Sequence, residues 1–66
     1  MTKRLNLHGV KHEDVDRLVE NFVLMNNPPM RIITGNSEKM TMLTLDVLNR
    51  HDFEWERWAN SYIVVL

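Results

Sequence analysis

The chain has 66 residues, no cysteine and a formal net charge of −1, which allows one small domain and excludes a disulfide-stapled scaffold and a cysteine-based zinc site. Apolar residues make up 44% of the chain and include two Trp, two Phe and one Tyr, enough for one compact core, so a disordered tail is also excluded. No run of about 18 apolar residues and no signal-peptide core is present. We therefore expect a cytoplasmic protein with no membrane partner.

The first half of the chain predicts a strand followed by a helix. Residues 3–7 alternate between polar and apolar side chains, which is typical of a half-buried strand, and Gly9 ends it. Between residues 12 and 25 the apolar side chains recur at spacings of three and four, which predicts a helix, and Asn-Asn-Pro-Pro at residues 26–29 stops it. The buried stripe of this helix would be Val15, Leu18, Val19, Phe22 and Val23.

The second half predicts a strand, a helix and a hairpin. Residues 30–34 form a short run rich in β-branched side chains, which predicts a strand, and Gly-Asn-Ser breaks it. Ser37 is placed as the N-cap of a helix running from Glu38 to about His51. This helix would bury Met40, Leu43, Val47 and Leu48. Residues 53–58 and 62–66 then form two strands of a hairpin around a turn of Ala-Asn-Ser.

These elements predict one domain over residues 1–66, an α/β (α+β) two-layer sandwich of order βαβαββ with a four-stranded mixed sheet. Right-handed crossovers place both helices on one face and make the first three strands parallel, with the last antiparallel to its hairpin partner. The opposite face would carry Arg4, Asn6, His8 and Arg31. It would also carry an apolar residue such as Ile33, Trp58 or Ile63, and open faces of this mixed kind often bind a partner.

Two turns are candidate anion sites, because each follows a parallel strand and leads into a helix. They are Leu-His-Gly-Val at residues 7–10 and Thr-Gly-Asn-Ser at residues 34–37. The carboxyl ends of parallel strands form the ligand crevice of open α/β sheets. Glycine lets a phosphate approach the backbone, and a helix N-terminus directs amide hydrogens at it.

The same two segments resemble the motifs of the Smr (small MutS-related) domain, found alone and at the C-terminus of MutS2 proteins. That family begins with Leu-Asp-Leu-His-Gly, where this chain has Leu-Asn-Leu-His-Gly at residues 5–9. Its second block, an apolar strand ending in His-Gly-x-Gly or Thr-Gly-x-Gly, is matched by residues 31–37. The resemblance implies a fold similar to the C-terminal domain of translation initiation factor 3.

The resemblance implies a function in binding DNA or RNA, with nuclease activity, often nicking, in some members. Two positions depart from the family pattern: its aspartate is Asn6 here, and the last glycine of its second block is Ser37. His8 is the one candidate catalytic residue, as a general acid or base. An amide at residue 6 can neither take a proton nor supply charge, so catalysis would be weakened or lost. No cofactor is expected, and a divalent cation would act only in a catalytic site.

The candidate phosphate-binding set comprises Asn6, His8, Gly9, Lys11, Arg31, Thr34, Gly35, Asn36, Ser37 and Lys39, with basic support from Arg4. Each member also has a simpler interpretation. His8 can be a turn residue and the glycines can supply turn geometry alone. Ser37 is better placed as a helix cap than as a nucleophile, and the lysines can simply face water.

Histidine and tryptophan leave further alternatives. The three histidines at 8, 12 and 51 lie on different elements, so no metal site is predicted. Trp55 is expected in the core, whereas Trp58 is either a base-stacking residue or an interface residue. The rival function is a non-catalytic protein-interaction or self-associating module that uses the open sheet face and the C-terminal hairpin, for example as a homodimer.

Overall fold

The computed structural model describes residues 3–59 and 61–66. The elements are β1 (Lys3–Asn6), α1 (His12–Met25), β2 (Met30–Ile33), α2 (Glu38–Arg50), β3 (Trp55–Trp58) and β4 (Tyr62–Val65). This order confirms the predicted βαβαββ arrangement. The hairpin turn contains Ala59 and Ser61 as expected, and its third predicted residue, Asn60, lies outside the described residues together with Met1 and Thr2.

A side-chain hydrogen bond marks one end of each helix. α1 begins and ends at the predicted residues, and the Asn26 side-chain amide donates to the Phe22 carbonyl at 2.8 Å where the helix stops. α2 begins after Ser37, whose Oγ accepts from the Met40 backbone N–H at 3.1 Å. The predicted N-cap is therefore confirmed. The predicted last residue of α2, His51, is its C-cap, one residue beyond the end of the helix.

The sheet has the strand order β1-β2-β4-β3. β1 and β2 are parallel, and β4 is antiparallel both to β2 and to β3, so β3 runs in the same direction as β1 and β2, as predicted. The last strand is inserted between β2 and its own hairpin partner. β1 and β3 are therefore the two edges of the sheet.

One face of the sheet packs on the helices and forms the core. Its strand residues are joined by the buried helix residues Val15, Val19, Val23, Met40, Val47 and Leu48. Leu18, Phe22 and Leu43, expected in the buried stripes, are only half-buried. Ile63, proposed above as a residue of the open face, is fully buried because its register pairs it with Ile32, another core residue.

Polar side-chain contacts join the exposed surface of α1 to α2 and to His51, the residue that follows α2. Arg50 of α2 lies 2.6 Å from Asp16 of α1, and His51 lies 3.1 Å from Glu20. The Asp16 carboxylate accepts a hydrogen bond from the Arg50 guanidinium and thereby raises the pKa of Arg50 above its ordinary value. Within the described residues, neither helix is long and apolar enough to cross a membrane.

Candidate nucleic-acid interface

Three connections meet at one end of the sheet. We call residues 7–11, between β1 and α1, the first loop, and residues 34–37, between β2 and α2, the second loop. The Leu7 backbone N–H donates to the Ile33 carbonyl at 2.9 Å, which continues the parallel pairing to the start of both loops. The Ser61 carbonyl accepts from the Thr34 and Gly35 N–H groups at 2.9 and 3.0 Å. The β3–β4 turn thus lies against the second loop.

The first loop is a tight turn that leaves His8 exposed. Its geometry is fixed by the Asn6 Oδ1, which accepts from the His8 backbone N–H at 2.9 Å, and by the Val10 N–H, which donates to the Leu7 carbonyl at 3.0 Å. Gly9 has φ +80°, the left-handed region that glycine adopts most readily. Within residues 3–59 and 61–66, no side chain hydrogen-bonds the His8 imidazole. The imidazole is therefore open to a ligand.

In the second loop, the Thr34 side chain is buried and hydrogen-bonded within the protein. Thr34 is only 5% exposed, and its Oγ1 lies 3.3 Å from the Ser61 carbonyl oxygen and 3.2 Å from the Thr41 hydroxyl. The Thr41 hydroxyl in turn lies 3.0 Å from the Ser37 carbonyl oxygen. These contacts turn the Thr34 side chain toward the protein, so its role here is to hold the loop. We do not retain it among the proposed ligand contacts.

The N-terminus of α2 is capped by a side chain, and that of α1 is not. The Ser37 hydroxyl accepts from a backbone N–H in the first turn of α2, whereas Lys11, the N-cap residue of α1, makes no such bond. A shallow surface depression lined by Val10, Lys11, His12 and Glu13 lies at this uncapped end. Acidic residues also occupy the first turn of α1, and they oppose a phosphate there. The helix start is therefore at most an accessory to the exposed loop beside it.

The face of the sheet away from the helices is open. Strand register arranges its side chains in two rows across the four strands. One row is Asn6, Ile33, Tyr62 and Trp58, and the other is Arg4, Arg31, Val64 and Glu56. We call these eight residues the open face. Its β1–β2 side is basic, its centre is apolar and aromatic, and its β3 edge carries the acidic residue Glu56.

Among the described residues, the arginines of the open face differ from the paired arginines elsewhere on the surface in having no carboxylate partner. Arg17, Arg50 and Arg57 each lie within an ion pair, the last with Glu38 of α2. Within the described residues, Arg4 and Arg31 have no ion-pair partner, and they lie directly opposite each other on β1 and β2. Their opposition is an unfavourable arrangement for two like charges.

Arg31 is held in place by an aromatic ring. Its guanidinium carbon lies 5.0 Å from the centroid of the Tyr62 ring, within the range of a cation–π contact. Its Nε is buried and has no hydrogen-bond partner in the described part of the chain. The position of this charge is therefore set by stacking and not by a carboxylate.

The remaining candidates occupy the rims of the two loops. Asn36 and Lys39 are exposed and Gly35 is half-buried with φ +67°. No heavy atom outside the immediate chain neighbours lies within 4 Å of the point where a β-carbon would stand at Gly9 or at Gly35. Both loops thus leave free space above their glycines. Nowhere in residues 3–59 and 61–66 do three His, Asp or Glu side chains gather in an arrangement that would hold a metal ion.

Sequence reasoning missed two contacts of this region. The first is the Asn6–His8 bond, in which the amide serves the backbone of the histidine and not its imidazole. The second is Tyr62, which lies beneath Arg31. The signal for Tyr62 was the alternation of β4, where Tyr62 and Val64 are half-buried and Ile63 and Val65 are fully buried. Four of the five residues from 62 to 66 are aliphatic, which concealed that alternation.

Comparisons of the chain with protein-family models, with curated proteins and with solved structures found no match. The resemblance to the Smr domain therefore rests on the two motifs at residues 5–9 and 31–37, and it stays a prediction.

Proposed function

We propose that the chain is a nucleic-acid-binding module, as its resemblance to the Smr domain implies. The single observation that carries this proposal is the pair of unneutralised arginines, Arg4 and Arg31, placed opposite each other on the open face. Two like charges directly opposite each other on paired strands destabilise the free protein. A polyanion that contacts both of them removes that repulsion and releases its own counterions.

The first loop extends this basic surface. His8 lies in the turn two residues beyond Asn6, and Asn6 shares the open face with Arg4. In the proposed complex, phosphate oxygens accept hydrogen bonds from the two arginines and from His8. The open space above Gly9 lets the phosphate backbone come close to the protein backbone. Lys11 lies at the rim of the first loop and contributes charge, whereas Asn36 and Lys39 belong to the second loop and α2 and make no contact in the proposed complex.

Binding, not strand cleavage, is the function that the geometry supports best. General acid–base work by His8 requires a group that orients its imidazole or stabilises its charged form. In the described residues no carboxylate bonds that imidazole, and the Asn6 amide is engaged with the His8 backbone. The side chain of His8 is accordingly proposed as a phosphate contact.

The test is a titration of the protein against labelled DNA and RNA, single-stranded and duplex, at several salt concentrations. Replacing Arg4 and Arg31 together by Ala should lower affinity and reduce the slope of log affinity against log salt by about 0.7 to 0.9 per lost phosphate contact. The matched control is Arg17→Ala together with Arg50→Ala, which also removes two positive charges, both from exposed ion pairs on the helices. An equal effect of the control would mean that only net charge matters, and no binding by the wild-type protein would overturn the proposal.

A second candidate function is self-association through the open face. The observation in its favour is Trp58, a tryptophan that remains 49% exposed beside the half-buried Tyr62 and Val64. Light scattering tests it. A dimer that becomes monomeric when Trp58 is replaced by Glu supports this second function, whereas a monomeric wild-type protein excludes it.

A further inference from the structure

The open face offers more than positive charge. We propose that it binds an unpaired nucleic-acid strand, with a base stacked on Trp58 and the phosphates held by Arg4 and Arg31. This inference rests on the proposed function and adds which form of nucleic acid is bound and which residue contacts the bases. Three observations support it: the different environments of the two tryptophans, the contact between Arg31 and Tyr62, and the separation of charge across the sheet.

The two tryptophans of β3 have different environments. Trp55 is half-buried, packs against the core, and donates its Nε1–H to the Asn49 Oδ1 at 2.9 Å. Trp58 belongs to the open face, is 49% exposed, and its indole N–H has no acceptor among the described residues. A large aromatic surface left in water on an otherwise ordered strand is a platform on which a base ring can stack. Trp55 holds the strand, and Trp58 is available for a ligand.

Tyr62 and Arg31 form the adjacent part of the platform. Tyr62 pairs with Trp58 across β3 and β4, and the Arg31 guanidinium lies over the tyrosine ring. A guanidinium over an aromatic ring keeps its outer N–H groups available for phosphate oxygens, and its own plane can also stack on a base. Aromatic and cationic groups are thereby placed side by side in the centre of the sheet.

The charge across the open face orients the strand. Arg4 and Arg31 occupy β1 and β2, whereas Glu56 occupies β3 in the same row. A phosphate is therefore favoured over β1 and β2 and disfavoured near Glu56. A base carries no such charge, and its N–H groups can donate to a carboxylate, so bases are accommodated at the β3 side. We infer that the sugar-phosphate backbone runs along β1 and β2 with its bases directed toward Trp58.

This arrangement selects an unpaired strand over a duplex. The base faces of a duplex are stacked on one another inside the helix and are not available to Trp58. A duplex also presents two phosphate backbones, and the second one would approach the acidic edge of the face. An unpaired strand meets neither obstacle.

A second copy of this chain is a weaker occupant of the same face. Four strands of four residues span about 19 Å by about 14 Å, or about 270 Å² in projection. Stable protein–protein interfaces bury about 800 Å² on each partner. A nucleic-acid strand depends less on buried apolar area, because salt-dependent phosphate contacts supply much of its affinity.

The experiment measures binding of oligo(dT), oligo(rU) and a duplex of the same length at low salt, using tryptophan fluorescence and a labelled oligonucleotide. The wild-type protein should bind single strands more tightly than the duplex, with quenching of Trp58. Trp58→Leu should weaken single-strand binding by about 5- to 150-fold, and Trp58→Tyr should restore most of it because the stacking ring is retained. Met42→Leu is the control, since Met42 is 66% exposed on α2. The two oligonucleotides show whether RNA or DNA is preferred.

The outcomes separate the two levels of the proposal. Single-strand affinity that is unchanged in Trp58→Leu but lost on removal of Arg4 and Arg31 overturns the stacking inference and leaves the proposed function in place. Equal affinity for duplex and single strands also overturns the inference. No binding of any nucleic acid overturns both, and a dimer that Trp58→Leu dissociates would then assign the face to a second copy.

Discussion

The first and second loops begin from the same topology and end with opposite properties. Each follows one of two paired parallel strands, places a glycine at positive φ and leads directly into a helix. The second loop buries Thr34 and caps its helix with Ser37, whereas the first loop exposes His8 and leaves α1 without a side-chain cap. The position of a loop at the carboxyl end of a strand therefore does not decide its role. The direction of the side chains beside the glycine decides it.

The largest expected difference between the loops concerns Thr34 and His8. Thr34→Ala removes a buried methyl group and a hydroxyl bonded inside the protein, and should lower the free energy of unfolding by about 1.5–2.5 kcal/mol. His8→Ala removes only exposed atoms and should change it by less than about 0.5 kcal/mol. Urea unfolding followed by tryptophan fluorescence measures both. If His8→Ala destabilises the protein as much as Thr34→Ala, the first loop is structural and the comparison is wrong.

Alanine substitutions at Gly9 and Gly35 should have similar effects on stability but different effects on binding. Gly9→Ala and Gly35→Ala each place a β-carbon at positive φ, which should cost about 1–2 kcal/mol of stability in either loop. Because we place the ligand at the first loop, Gly9→Ala should also weaken nucleic-acid binding, and Gly35→Ala should not. Unfolding curves and binding curves on the same two variants give the answer. Equal losses of affinity would mean that both loops contact the ligand.

The smallest expected effect concerns the helix starts. Ser37→Ala removes the N-cap of α2 and should cost about 1 kcal/mol. Lys11→Ser should have the opposite sign, with a gain of up to about 1 kcal/mol, because Lys11 already has the extended backbone of an N-cap, φ −69° and ψ 142°, but supplies no side-chain acceptor. Thermal unfolding of both variants measures these changes. A Lys11→Ser protein no more stable than the wild type would show that a serine at this position does not cap α1.

The sequence predicted the elements well because most of their signals are local. The bounds of α1 follow from apolar spacing and the two prolines, and the Ser37 cap follows from residue type and position. Strand order was not predictable in the same way. β4 pairs with β2 as well as with β3, and nothing within residues 62–66 indicates a partner 30 residues away in the chain.

The candidate site was predictable in place but not in detail. The parallel pairing of β1 and β2 brings the two loops together, as the predicted sheet indicated. Which side chains face outward depends on contacts between distant residues: Thr34 is turned inward by Ser61 and Thr41. The position of Ile63 was wrong for a related reason, since a run of aliphatic residues shows no period and only its pairing with Ile32 fixes its face.

In the proposed complex, the first loop and the open face contact nucleic acid, whereas the second loop and the helices do not. The most direct test is the change in backbone amide NMR shifts of the labelled protein on titration with a short single-stranded oligonucleotide. We expect the largest shifts at Arg4, His8, Gly9 and Arg31, with the Trp58 indole N–H also shifting, and little change at Thr34 or along the outer surfaces of α1 and α2. Shifts concentrated on those helices, or no shifts at a saturating oligonucleotide concentration, would contradict it.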